Sequence, residues 1–345
     1  MPSCPTCEAF FPTLELLSGH SKTDCQRWTK SQVFAIAIVQ CDGTKNEFAK
    51  LKGVEVIGKL ASELLQGPSG RGAFCMLLAP EFYFWNPVGK PAGTFSSRQL
   101  DQCFEGVTLA SAKLGNVLLV PGTVPVADLG TFSNLLGHYG GRKKASIMPD
   151  DDLPEGVKKK YLGEEFDDQQ SKVSQFQGGA YRYRNVAGAF FGGAQLLAYH
   201  KQIPFYDVST GDFEYHWFLD KDAMVLDAPP SNPNSITVDG VRVGFEICAE
   251  HQYGTLKASG RGFSDVHVLL ANSMEEYFPT LVNTRPSGGL FAHVDAQEEH
   301  SALYYCASGK VKKVKPTKAG VLNDGGFKGS WQLYLVQIRI PIRMK

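Results

Sequence analysis

Three residues of different chemistry each follow an apolar run that reads as a buried strand. Glu81 follows AFCMLLAP, Lys201 ends AQLLAYHK, and Cys248 ends VRVGFEIC. A thiol with a pKa near its ordinary value of about 8.5 is mostly protonated at neutral pH, so it needs a base to become a nucleophile. Glu81 is followed by Phe82, Tyr83, Phe84 and Trp85. Aromatic walls of that kind desolvate a carboxylate and favour its protonated form, which suits a general base. A lysine ammonium and a backbone N–H just beyond the cysteine, that of Ala249, can hold the oxyanion that forms when sulfur attacks a carbonyl. Such machinery suits covalent hydrolysis of an amide, or of a nitrile, through a thioester or thioimidate. Taken singly, each residue reads as structural, and a buried cysteine is commonly inert.

The three residues matter only if the fold brings their strand ends together. QVFAIAIVQ, AFCMLLAP and NVLLVPGTV are near-continuous apolar runs, as expected of strands covered on both faces. Between the first two, KNEFAKLKGVEVIGKLASELL carries Phe48, Leu51, Val54, Ile57, Leu60 and Leu64 at helical spacing, and GPSGRG ends it. SSRQLDQCFEGVTLASAKLG predicts a second helix before the third strand. This alternation says α/β, a class that builds its sites at the C-terminal ends of strands. YRNVAGAFF and AQLLAYHK predict a hairpin around Gly192 and Gly193. SITVDGVRVGFEIC predicts another strand pair, SDVHVLLANS a buried strand and WQLYLVQIRI a closing one. From about 127 to 178 the pattern lapses. SIMPDDDLPEGVKKKYLGEEFDDQQSK carries charge of both signs and is too long for an ordinary connection. It reads either as a surface insertion or as a lid or partner-binding arm.

The 345 residues suffice for one large α/β domain or two smaller ones. Basic and acidic residues number 35 each. That balance argues against a dominant nucleic-acid or membrane-surface role, which usually leaves a basic excess. No apolar run approaches the ~20 residues that span a bilayer. The start, MPSCPTCEAFF, lacks the basic and apolar regions of a secretory signal. Beyond the first three cysteines, Cys41, Cys75, Cys103, Cys248 and Cys306 are scattered in apolar segments, which favours a reduced, cytoplasmic setting.

The set PEF (80–82), YHK (199–201) and ICAE (247–250), in that order, resembles the nitrilase or carbon–nitrogen hydrolase superfamily. The resemblance runs from about Phe34 to the C-terminus. It takes in VFAIAIVQ, VPGTV, YRN ahead of the Gly-Gly turn, DGVRVGFEIC and LLANS. It implies an αββα sandwich that often dimerises, and an amidase-type reaction releasing ammonia or an amine, or else a nitrilase reaction. It makes Glu81 the general base, Lys201 the oxyanion stabiliser and Cys248 the nucleophile, with no catalytic cofactor. Many members carry a second glutamate that orients the lysine. Glu214 in STGDFEYHW is the best match, although it lies further along than usual and reads equally as a loop carboxylate. Two features depart from the pattern. Ala249 stands where many members have an aromatic residue, which implies a roomier or differently shaped pocket. MEEYFPTLVNTRPSGGLFAHVDAQ passes through a Pro-Ser-Gly-Gly break in place of the usual arginine-rich helix, which bears on the dimer interface. Glu250 is expected to cap or orient the turn after Cys248. Glu246 is expected to face the other side of its strand or to pair with a lysine, and His251 to be structural rather than to touch substrate. The aromatics after Glu81 and from Tyr206 to Trp217 point to an apolar or ring-bearing substrate, or to core.

Residues 1–30 read as a unit of their own, ahead of a hydrolase domain over 31–345. Cys4, Cys7, His20 and Cys25 form C-x2-C-x12-H-x4-C, a tetrahedral zinc-ligand spacing, with Phe11 and Leu17 placed for the small core of a ββα finger. The stretch resembles a C2H2-type finger with cysteine as its last ligand. So short a unit would draw its folding energy from the metal; otherwise it is a disordered tail. Its base-reading positions would be Thr13, Leu16 and Gly19, none able to make arginine's bidentate contact with guanine. Leu16 beside Leu14 favours a protein surface over nucleic acid. Two functions stand open: a cysteine-dependent hydrolase of a small amide or nitrile, or a hydrolase-like scaffold that recruits a protein partner through the finger and the insertion.

Overall fold

The computed structural model describes residues 29–41, 50–67, 70–86, 89, 93–130, 180–203, 206–207, 212–213, 223–226, 232–272, 274, 277–324 and 327–342. The proposed zinc ligands Cys4, Cys7, His20 and Cys25, the glutamate Glu214 and the span 131–178 of the charged insertion lie outside these residues.

The expected alternation is present at the start: β1 (Thr29–Cys41), α1 (Lys50–Leu65), β2 (Phe74–Leu78), α2 (Ser97–Leu114) and β3 (Val117–Val120). Ser96 and Gln99 begin α2 as a reciprocal capping box, and Gly115 ends it at positive φ. NVLLVPGTV is not one strand. Pro121 cannot donate to a ladder, and Gly122 sits at φ +76°, so the chain breaks there and resumes as β4 (Thr123–Gly130). The hairpin around Gly192 and Gly193 joins β5 (Ala180–Phe191) to β6 (Ala194–His200), and three short strands follow, β7 (Tyr206–Asp207), β8 (Asp212–Phe213) and β9 (Ala223–Leu226). Then come β10 (Ser235–Val238), β11 (Val241–Ile247), α3 (Thr255–Ala258), β12 (Val266–Ala271), β13 (Gly289–Asp295), β14 (Ala302–Ala307), β15 (Lys310–Lys313), β16 (Lys318–Asp324) and β17 (Phe327–Pro341).

Two sheets result. One runs β16-β17-β1-β2-β3-β5-β4, with β6 and β9 also on β5; the other runs β10-β11-β12-β13-β14-β15. Strand alternation sorts side chains into layers. Ile36 and Ile38 of β1, Met76 and Leu78 of β2, Phe245 and Ile247 of β11, and Val268 and Leu270 of β12 meet between the sheets. The alternate set, Ala35, Ala37, Cys75 and Leu77, packs under Ile57 and Leu60 of α1 and Phe104 and Val107 of α2.

The two sheets and one helical layer of an αββα sandwich are therefore present. On the outer face of the second sheet, the described residues hold only the four-residue α3 and short 3-10 turns. Pro279 and Pro286 forbid a long helix after β12. Met274, Tyr277 and Phe278 from that connection cover Leu269, Ala271 and Phe291 instead. Among the described residues, no helix is long and apolar enough to cross a membrane.

Candidate active site

Glu81 leaves the C-terminal end of β2 in a turn closed by Tyr83 N–H on the Pro80 carbonyl (3.3 Å). Phe82, inside that turn, lies at φ 55°. For a side chain of this bulk, the left-handed region costs roughly 1–2 kcal/mol. The turn is seated on the β3–β4 break. Phe82 N–H donates to Thr123 Oγ1 at 2.8 Å, and a Cβ on Gly122 would lie 2.1 Å from the Pro80 carbonyl oxygen. The VPGTV sequence is thus fitted to the glutamate's turn.

The carboxylate of Glu81 is buried and meets two donors on one oxygen. Lys201 Nζ lies 2.9 Å from Oε1, and Asn185 Nδ2 donates to the same atom at 2.7 Å. Glu81 and Lys201 are each 1% exposed, so the pair is deeply desolvated and needs its partners to remain charged. Strand parity explains the convergence. Ala187 and Ala189 of β5 and Leu197 and Tyr199 of β6 face between the sheets, and Asn185 and Lys201 continue the same alternation. The Asn185 carbonyl also accepts the Lys201 N–H at 2.9 Å. Asn185 was visible only as the last letter of YRN, with no local signal for a partner 104 residues away.

Cys248 follows β11 directly, as the first residue of a 3-10 turn that runs to Tyr253. Its φ is 48°, a strained junction that turns the side chain sharply out of the strand line. Ala249 is next, among the N–H groups that a helix start leaves without an intrahelical acceptor. Two links bring this turn to the other strand ends. The register pairs Ile247 with Leu270, which puts Ala271 level with Cys248, and the Ala271 carbonyl accepts the Glu81 N–H at 3.2 Å. Glu250 makes the second link. Its Oε2 accepts Ile247 N–H at 2.7 Å. Its Oε1 accepts Gln202 N–H at 2.6 Å and Tyr199 O–H at 2.8 Å. One carboxylate thereby ties the residue before the cysteine to both flanks of Lys201, beyond the capping role expected for it. Burial pushes Glu250 up to about 8 against the pull of its three donors, and burial together with Glu250 holds Tyr199 firmly protonated.

Glu246 faces the other side of β11, as expected, but its partners are histidines and not a lysine. His251 Nδ1 lies 2.6 Å from Oε2, and His267 Nε2 lies 2.9 Å from it without good alignment. Leu256 N–H and Thr255 O–H donate to Oε1 at 2.7 and 3.2 Å. Burial alone would raise Glu246, but the two histidines prevail and bring it down to about 2. These three residues have ligand atoms within 4.8 Å of one another, yet they do not fit a metal. A ligating histidine donates its other ring N–H outward. Here His251 Nε2 accepts Phe278 N–H at 3.2 Å, and His267 Nδ1 accepts Asn283 N–H at 3.1 Å. Both protons are thereby fixed on the nitrogens that face Glu246. His251 is a satisfied structural histidine.

A groove of about 560 Å³ between α2 and β5–β6 is lined by Phe104, Thr108, Arg184, Val186, Ala198 and His200. It lies on the face of the sheet opposite Asn185 and Lys201. Arg184 there is tied to Asp128 at 2.6 Å and to Ser97.

No protein-family model matches the chain, and no curated protein does. Among solved structures, it is similar to an amidase from Nesterenkonia AN1 described as belonging to the nitrilase superfamily. A cysteine mutant of that amidase gives a TM-score of 0.47 at 12% identity, covering 88% of this chain and 90% of that one. A glutamate mutant bearing the acetamide moiety of fluoroacetamide on its active-site cysteine gives 0.47 at 12% identity, with 90% of each chain covered. A complex of the cysteine mutant with butyramide gives 0.47 at 13% identity, over 88% and 90%.

Proposed function

We propose that this protein is a cysteine-dependent hydrolase of carbon–nitrogen bonds, acting on a small carboxamide. The observation that carries the reading is the buried Glu81–Lys201 pair, tied through Glu250 and Ala271 to the strained turn of Cys248. Glu81 takes the thiol proton as Cys248 sulfur bonds to the acyl carbon, and the carbonyl electron pair moves onto oxygen. Lys201 Nζ and the Ala249 N–H hold that oxyanion. When the carbonyl re-forms, the C–N bond breaks and Glu81 returns its proton to the departing nitrogen. Ammonia or an amine leaves, and a thioester remains. Water then gives a proton to Glu81 and attacks the thioester; the C–S bond breaks, the acid departs and the thiol regains the proton. Glu214 would orient Lys201, an assignment that rests on the resemblance alone.

The test is ammonia release from a panel of aliphatic, aromatic and carbamoyl amides and the matching nitriles, beside Cys248→Ala. Release that is lost in the variant supports the hydrolase, and release from nitriles alone moves the reading to a nitrilase. No release from any member turns it to a scaffold that recruits a partner. We further propose that Cys4, Cys7, His20 and Cys25 hold one structural zinc, that the finger docks protein rather than nucleic acid, and that the protein is a cytoplasmic homo-oligomer. The ligand spacing, the finger's Leu14–Leu16 surface, the cysteine usage and the family resemblance support these in turn. Metal analysis of the full chain and of Cys7→Ser, with light scattering for mass, tests the first and the last.

A further inference from the structure

The inference drawn here rests on the hydrolase reading and concerns which bond the site accepts. Asn185 is wholly buried on the inner face of β5. Its carbonyl holds Lys201 N–H and its Nδ2 holds Glu81 Oε1. Its Oδ1 has no hydrogen-bond partner among the described residues. The orientation of the amide is fixed, because turning it over would set Oδ1 against a carboxylate oxygen. A buried amide oxygen with no donor bears its desolvation cost uncompensated, so a donor is expected when the site is loaded. The atom sits one amide width, roughly 2 Å, from the nitrogen that holds the general base. In the scheme above, Glu81 hands its proton to the departing nitrogen, so that nitrogen must come to the Glu81 carboxylate, against which the Asn185 amide lies.

We propose that Asn185 Oδ1 accepts a hydrogen bond from an N–H on the scissile nitrogen, making the site selective for carboxamides that carry such an N–H. A nitrile nitrogen bears no hydrogen, and an ester oxygen bears none. Both would leave Oδ1 unpaired and add its desolvation to their transition states. A site with a buried polar group made for one substrate discriminates against analogues that lack the matching group. The same residue positions Glu81 for any acyl substrate, so its two roles separate by leaving group.

The test uses the primary amide and the methyl ester of one acyl group, chosen as the best amide of the panel. Asn185→Leu and Asn185→Ser are compared with the wild type by kcat/KM, after thermal unfolding has shown which variants are folded. Loss of Glu81 positioning slows both substrates. Loss of the Oδ1 contact slows the amide further, so the amide-to-ester ratio is expected to fall by about tenfold. An unchanged ratio, with both rates down together, overturns the inference and leaves Asn185 as a positioning residue only. Turnover of neither substrate by the wild type overturns the hydrolase reading and this inference with it. Should neither variant fold, binding to Cys248→Ala decides. The amide should bind about tenfold tighter than the isosteric methyl ketone, and equal binding overturns the inference.

Discussion

Two buried carboxylates, on opposite sides of the second sheet's leading strand ends, differ in what surrounds them. Glu246 receives two backbone-locked imidazoles, a backbone N–H and a hydroxyl. Its neighbours' tautomers are fixed by Phe278 and Asn283, so a proton has nowhere to move. Glu81 instead meets a lysine ammonium and a carboxamide that retains an unpaired oxygen. It stands in a turn strained at Phe82, linked to another strained at Cys248. The first arrangement can only hold structure. The second keeps charge, strain and an unmet acceptor in one place, as a site that awaits a ligand does. Burial is common to both; what separates them is that the Asn185 amide oxygen beside Glu81 has no donor among the described residues, whereas both oxygens of Glu246 accept hydrogen bonds.

Substitutions at the two carboxylates should therefore fail in different ways. Glu81→Gln keeps the shape but takes the Glu81 charge away from the buried Lys201. Activity against the best amide should fall by about 10²–10⁴, and urea unfolding should record a loss of about 3–5 kcal/mol. Retained turnover would end the general-base assignment. Next in size is Glu250→Gln, whose NH2 would face the Ile247 N–H. Loosening of the Cys248 and Lys201 flanks should lower kcat by on the order of tenfold to a hundredfold with KM little changed. A KM effect alone would show that the clamp does not position the chemistry.

Glu246→Gln belongs to the structural side. It should cost about 1–3 kcal/mol of stability while kcat changes less than about threefold, read on the fraction that stays folded. Proton linkage then sets the two glutamates against each other. Glu246, held at about 2, lies below the unfolded value of about 4.3. Its contribution is present above that pH and is lost as pH falls toward 2. Glu250, raised to about 8, contributes below about 4.3, and that contribution is lost as pH rises through 8. Stability differences from wild type, measured across pH 3–9, should slope in opposite directions for the two Gln variants. Parallel slopes would contradict the contrast. The smallest effect expected is none: His267→Gln should leave bound zinc per chain unchanged, whereas Cys7→Ser should abolish it, in atomic absorption of the purified full chain.

Much of this contrast was legible in sequence on one side only. FCMLL, AQLLAYH and VRVGFEI announce strands by composition, so the residues at or just past their ends stand out. Glu81, Lys201 and Cys248 were visible for that reason. The Asn185–Glu81 contact and the histidines around Glu246 were not, because they depend on cross-strand register and on which face each residue takes. Register sets His267 of β12 two positions before Leu269, the partner of Glu246, on the same face of the sheet. No local pattern encodes that. The split of NVLLVPGTV at Pro121–Gly122 was written in two breaker residues but masked by the apolar letters on either side. β13 to β16 went unread because GLFAHVD follows a Gly-Gly break and KVKK and KAGVLND are short or polar at sheet edges.

In the proposed mechanism Cys248 is an activated nucleophile and the buried thiols of Cys75, Cys103 and Cys306 are not. Burial raises Cys75 and carries Cys306 up to about 11, so both should be slow to react. Peptide-resolved alkylation by iodoacetamide at neutral pH measures the difference directly. The account predicts that Cys248 is modified at least about a hundredfold faster than Cys75, Cys103 or Cys306, and that Glu81→Gln removes most of that advantage. Modification of Cys248 no faster than the other three, in the folded wild-type protein, would contradict it.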